Sequence, residues 1–469
     1  MAQNFLPCDR DQELLLPPSL REWLPEDHLA WFVLDSVAEL DLDGFYSAYR
    51  ADGWGAAAHD PQMMVALLLY AYSIGVRSAR GIERRCSEDV AFRVITANQV
   101  PDHATIARFR ARHEQAISDL FTGVLSLCAR AGLVKVGIVA IDGTKIAAAA
   151  THHANRSYEQ IAQEIVAEAG RIDAAEDELY GEARGDELPE GLRTAGDRRK
   201  WLREAKQALE AERAAKAKQI PRDRGERLSE CKARLEQDWR LEQRVVAEHA
   251  AWHARGIASD GSRRMVGARA NIKPYPLSEK PAGKLNVTDP DSRNLKTTRG
   301  WVQGYNAQAA VTPEQIVVAA EISTESLDTA NLEPLVNTAG GELRSAGVGA
   351  KPGVILADAG YWKNDAIEAI VSQGIQTLIA PDADSRREPR PGRRGGLYDF
   401  TRRVLATDWG KELYLRRQGT VEPVFGQIKS NRGANRFLRR GRSAVRSEWR
   451  LLTATHNLLK LHQHRLSPA

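Results

Sequence analysis

The sequence predicts a mixed α/β protein: an all-helical N-terminal region, then a β-containing core interrupted by a long helical insertion. Three observations carry that expectation. Apolar residues recur at helical spacing through the first 132 positions. Two short apolar β-runs, Val136–Ile141 and Gly353–Ala357, each lead into an aspartate, Asp142 and Asp358. Positions 156 to 256 are rich in Ala, Glu, Arg and Lys with a helical repeat. At 469 residues the chain has room for two or three domains, and its 43% hydrophobic and 27% charged residues are ordinary for a globular protein.

From the N-terminus, Leu29–Leu34 and Met63–Tyr72 read as helices, the second buried nearly all round, with Pro61 marking its entry. Ser78–Arg85 and Asp102–Arg110 follow, the latter with Asp102 as N-cap. A short basic helix carrying Thr105, Arg108 and Arg112 suits a DNA major groove, and it equally suits one arm of a helical hairpin. In the β-run Val136–Ile146 the dipeptide Asp142-Gly143 by itself reads as a hairpin turn. The insertion reads as a coiled-coil-type hairpin folded near Gly185–Pro189, with too little apolar surface for its own core, projecting toward DNA or a second subunit.

Strands are expected at Trp301–Val311 and Ile316–Ile322, joined by a turn at Thr312–Gln315, and again at Gly353–Asp358 and Gln376–Ala380. Helices are expected from Thr329 to Ala346 and from Asp365 to Gln373, and Arg386–Gly396 has the composition of a loop. The resulting division is a helical N-terminal DNA-binding domain at 1–132, a first strand region of the core at 133–155, the insertion at 156–285, the rest of the core at 286–450 and a C-terminal helix and tail at 451–469.

The chemistry centres on Thr420–Lys429, where Glu422 and Lys429 lie seven residues apart, about two turns, and so share one helix face. Thr420 as cap and Pro423 in the first turn would put Glu422 at the positive end of the helix dipole. Alone, such a glutamate only stabilises its helix. It has company in two strand-borne aspartates and a basic field, with seventeen Lys and Arg against five acidic residues between Arg386 and Arg446. A solvated basic surface has that composition, and so does a phosphate-gripping one. Carboxylates without His or Cys support suit Mg²⁺ or Mn²⁺ over zinc, and two such ions serve an in-line displacement at phosphorus. Asp142, Asp358 and Glu422 reach one place only if the two strands are neighbours and the Glu422 helix packs across them, the ribonuclease-H-like arrangement.

Asp142, the segment Asp358-Ala359-Gly360-Tyr361 and the run from Tyr414 through Arg417 and Glu422 to Lys429 resemble the three catalytic regions of DDE transposases from bacterial insertion sequences. Pro101–Ile106 and its helical surroundings are similar to the N-terminal domain of those enzymes, and the resemblance is nearest to the insertion sequence eleven-eighty-two group. It implies DNA cleavage and strand transfer at the ends of an element, two Mg²⁺ ions (Mn²⁺ as substitute) on Asp142, Asp358 and Glu422, and DNA contacts from Tyr414, Arg417 and Lys429. Four residues separate Arg417 from Glu422, where the related Tyr-Arg-Glu-Lys signature usually leaves three, so Arg416 and Arg417 both remain candidates for the phosphate ligand.

The expected partners are the element's terminal repeats and its target DNA, with a homo-oligomer assembled on them. No membrane segment or signal core is apparent, which points to the cytoplasm. The four widely spaced cysteines, Cys8, Cys86, Cys128 and Cys231, form no metal-binding or disulfide pattern. Two other readings compete: a DNA-binding protein that has kept the fold but lost catalysis, and an interaction protein organised by the coiled-coil arm. Metal-dependent nicking separates the enzyme from both.

Overall fold

A computed structural model describes residues 6–10, 19–50, 57–180, 223–255, 278–297, 300–382 and 395–466. The chain forms two compact units, one of residues 1–149 with 292–469 and the other of residues 150–291.

The first unit is built on a six-stranded mixed sheet. Its centre is β1 (Ile138–Ala147), antiparallel to β5 (Gly300–Val311) on one side and parallel to β7 (Val354–Ala357) on the other; β7 in turn pairs in parallel with β8 (Gln376–Ile379). The far side of β5 is shared by β4 (Arg293–Thr297) and β6 (Val317–Ser323), both antiparallel to it. Strands β6 and β7 form where the sequence is apolar with little alternation, as expected of strands covered on both faces. The expected turn at Asp142-Gly143 is not one. Both residues pair within β1, Asp142 opposite Ala309 and Gly143 opposite Gln308, because the unbroken ladder from Ala140 to Ala147 on β5 outweighs the local turn preference of the dipeptide.

The N-terminal helices are α1 (Leu29–Ala38), α2 (Asp43–Tyr46), α3 (Pro61–Ser73), α4 (Ala79–Glu88), α5 (Val90–Ile95), α6 (His103–Arg112) and α7 (Glu114–Arg130). Their starts are written in the sequence. Asp60, Ser78, Asp89 and Asp102 each cap a helix through a side-chain oxygen, satisfying first-turn amides. In α3 every residue except Gln62 is buried. Buried polar contacts join these helices to the chain's C-terminal part. The Arg77 guanidinium pairs with the fully buried Glu448 at 3.2 Å and donates to the Arg436 and Gly433 carbonyls, while Arg110 donates to the Arg77 carbonyl and the Tyr72 hydroxyl.

Between the insertion and the C-terminus, the first unit adds α10 (Leu332–Ser345), α11 (Asn364–Ser372), α12 (Gly396–Ala406), α13 (Asp408–Gly426) and α14 (Arg442–Leu466). The last of these begins well before position 451 and packs on α7, β6 and α3. Its Asn457 exchanges two 2.8 Å hydrogen bonds with the backbone of Val317. Helix α13 departs from expectation at its start. Thr407 is the cap, so Thr420 and Pro423 lie inside a 19-residue helix, and the Thr420 hydroxyl bonds back to the Arg416 carbonyl at 2.7 Å. Glu422 therefore stands near the C-terminal end of this helix, where the dipole gives a carboxylate no support. A π turn, Gln427–Asn431, follows. On the insertion's flanks, Gln303 accepts from the Ala148 amide at 2.9 Å through its carbonyl and donates to the Ser292 hydroxyl at 2.8 Å through its side chain.

The second unit contains α8 (Tyr158–Tyr180), α9 (Arg224–Arg255) and a two-stranded sheet of β2 (Asn155–Ser157) with β3 (Lys284–Asn286). It has a core after all: Ile161, Leu228, Cys231, Leu235, Leu285 and Val287 are buried together, with Tyr158 and Ile165 packed against them. The expected fold-back near Gly185–Pro189 and most of the loop from Arg386 lie outside the described residues.

Candidate active site

Pairing β1 with β7 in parallel sets Ala140 opposite Leu356, so Asp142 and Asp358 emerge side by side, Asp358 just past the strand end. Strand ends of this kind are where open mixed sheets place their sites. Asp358 caps the single turn Ala359–Tyr361, accepting from the Gly360 amide at 2.8 Å. The turn is anchored on both sides: the Tyr361 hydroxyl donates to Gln308 Oε1, and Trp362 stacks on Tyr398 with ring centroids 5.0 Å apart.

Burial is the main force raising the Asp142 carboxyl to about 6, and the neighbouring Asp358 and Asp328 add to it. The Gly143 amide, at 2.7 Å, and Arg417 oppose that rise. Arg417 comes from α13, 7% exposed, with Nη1 3.3 Å from Asp142 Oδ2 and its guanidinium 5.7 Å from the centre of the Tyr414 ring. Beyond the end of that helix, in the π turn, Lys429 donates to the Thr144 hydroxyl at 3.0 Å and to the Lys145 carbonyl at 3.3 Å. Helix α13 thus lies along the face of β1 that carries Asp142 and Thr144.

Of the residues singled out from sequence, Asp142, Asp358, Tyr414, Arg417 and Lys429 gather here. Arg416 points elsewhere, exposed and paired with Glu412 at 2.8 Å. Glu422 is exposed, with no hydrogen bond or ion pair among the described residues. Arg108 and Arg112 lie on α6: Arg108 is exposed and bonds Thr105 within its own helix, whereas Arg112 packs over the Tyr49 ring and donates to the Ala48 carbonyl. Two adjacent carboxylates, of which Asp142 has a raised proton affinity, are a donor set that fits a hard divalent cation. Among the described residues no three His, Cys, Asp or Glu side chains stand close enough to hold an ion, so Glu422 does not close the set in this arrangement.

Sequence reading missed Asp328, Asn306, Gln308 and Lys145, which lie directly beneath the aspartates. Their one signal is Asn306 and Gln308, two amides spaced for a single face of an otherwise apolar strand.

No helix among the described residues is long and apolar enough to cross a membrane. No curated protein and no solved structure matches the chain. Two domain families do. Residues 18–112, spanning α1 to α6, match a transposase domain (DUF772), and residues 398–462, which include Arg417, Glu422 and Lys429, match a transposase DDE domain. A DDE domain implies a ribonuclease-H-like fold, and the strand order β6-β5-β1-β7-β8 around Asp142 accords with it. With one transposase-domain match near each end, the chain is similar to the DDE transposases of insertion sequences.

Proposed function

We propose that this transposase cuts DNA at the ends of its element and joins them to a target, with Asp142, Asp358 and Glu422 holding two magnesium ions for which manganese can substitute. The observation that carries the reading is the pair of aspartates on adjacent parallel strands, faced by an arginine from the helix that also bears Glu422. When bound, the metals would activate the attacking oxygen and stabilise the leaving one. The remaining work falls to the chain. Arg417 offsets the charge of Asp142 and, with its Nε unpartnered and buried, has donor capacity left for a phosphate oxygen. Lys429 braces the helix on β1 and brings a second cation to the same face, with Tyr414 beside Arg417 and Arg416 on the outer side of the helix. Glu422, exposed and unpaired, is available to a ligand. On α6, Arg108 and Arg112 supply positive charge for the element's ends.

The full chain, incubated with duplexes covering the DNA that flanks its gene, should cut them with Mg²⁺ or Mn²⁺ and not with EDTA. Asp142→Ala, Asp358→Ala and Glu422→Ala should each abolish scission and leave duplex binding largely intact. Scission at the wild-type rate by the triple variant would overturn the reading.

A further inference from the structure

The space where a side chain at position 143 would go is already taken. A Cβ on Gly143 would lie 2.2 Å from Gln308 Nε2, 2.8 Å from Asn306 Oδ1 and 2.9 Å from Asp328 Oδ1. Side chains alternate along β1, and residues opposite one another in the antiparallel pair with β5 point the same way. Gly143, Lys145, Asn306 and Gln308 therefore line the face opposite to Asp142, and Asp328, arriving from the turn after β6, fills that face.

Asp328 is the hub of this layer. Its Oδ1 accepts from Asn306 Nδ2 at 2.7 Å and from Gln308 Nε2 at 2.8 Å, and its Oδ2 is 3.6 Å from the Lys145 ammonium. A side-chain amide can face either way, and its partners decide. Two donors turned toward Asp328 commit both amides. In Asn306 the commitment leaves Oδ1 buried with no partner among the described residues, a cost that flipping the amide would relieve only by setting oxygen against carboxylate. In Gln308 the commitment turns Oε1 toward the Tyr361 hydroxyl, which donates to it. Tyr361 is fully buried and belongs to the turn that Asp358 caps. Asp328 Oδ2 also approaches that turn directly, 3.7 Å from where a Cβ on Gly360 would stand.

Building on the function proposed above, we propose that Asp328 is a positioning residue of the site: by orienting the Gln308 amide it anchors Tyr361, and through that turn it holds Asp358 in place beside Asp142. It acts from the opposite face of the sheet and binds neither metal nor DNA. Asn at 328 keeps the accepting oxygen and loses only the charge opposite Lys145, whereas Ala loses both.

The test compares Asp328→Ala, Asp328→Asn, Tyr361→Phe and the Asp328→Ala/Tyr361→Phe double variant in the full chain. Single-turnover scission of the flanking duplex should fall by about 10- to 100-fold in Asp328→Ala, the scale of a stranded buried hydrogen-bonding group, with duplex binding unchanged. Asp328→Asn should recover most of that loss. Because both residues act along one chain of contacts, the double variant should be no slower than Asp328→Ala. Amide exchange gives a readout that needs no activity: protection of the segment around Asp358–Trp362 should drop in Asp328→Ala and return in Asp328→Asn, while α14 stays protected. Unchanged exchange at that segment, an Asn variant as impaired as Ala in both readouts, or additive losses in the double variant would overturn the proposal. A wild-type chain that cuts no duplex defeats the functional reading, and the exchange pattern then still decides the role of Asp328.

Discussion

Arg416 and Arg417 are neighbours in sequence and opposites in environment. Arg417 is almost fully buried against Asp142, so truncating it strands a buried carboxylate, whereas Arg416 is exposed and pairs with Glu412 one turn earlier on the same helix. Arg417→Ala should therefore cost about 3–5 kcal/mol, the penalty for breaking a buried pair by removing one partner. Arg416→Ala should change stability by only about 0–0.5 kcal/mol. Chemical denaturation of the two variants against wild type checks this, and equal midpoints for both would contradict the burial of Arg417. Spacing along the chain left both open because four residues, not the usual three, separate Arg417 from Glu422; in the fold, Arg417 is the one that faces Asp142. Asp142 and Asp358 were legible because an acidic residue at the end of an apolar β-run has few structural uses. Asp328 was not, since it lies in a loop and only the folded sheet brings it under Gly143.

At the scale of the element, helix α13 shows how a local signal misleads. Thr-x-x-Pro resembles a helix start, yet here it lies mid-helix, because Leu413, Arg417, Val421 and Val424 form a continuous buried stripe that tertiary packing holds helical through the proline. Pro423 has no amide hydrogen, so the carbonyl of Gly419 lacks its helical donor. Pro423→Ala restores it and should stabilise the protein by about 1–3 kcal/mol, seen as a higher denaturant midpoint at unchanged slope. A lower midpoint would mean that the ring's packing outweighs the missing bond. By contrast, the N-cap Asp102 of α6 was legible in the sequence because a cap is chemistry between residues two or three apart. The reach of α14 was not, since its polar residues, Arg450, Thr453, His456 and Asn457 among them, are buried by partners from distant parts of the chain.

For the molecule as a whole, the consequence lies in how the N-terminal helices are bound in. Arg77 reaches Glu448, Arg439 reaches Glu114, and Arg450 lies over Phe121 while bonding the Ser118 carbonyl. A fragment of residues 1–132 would lose all of these partners together and expose the apolar face of α7, with Ile117, Leu120, Phe121, Val124 and Leu125. It should show no cooperative thermal transition by circular dichroism, and a sharp melt like that of the full chain would refute this. Reading of the element's ends by these helices is thus a question for the intact protein.

Gln303 has an implication for how such a chain can change over time. By bonding both Ala148 and Ser292, this one residue ties off the two ends between which residues 150–291 are carried. With entry and exit already held together, the entropy of closing a longer excursion grows only slowly, by about 0.6 kcal/mol for each doubling of its length. Lineages can therefore lengthen, trim or exchange what is carried there while the sheet that holds Asp142 and Asp358 keeps its register, leaving this doorway the place where relatives with the same chemistry are freest to diverge.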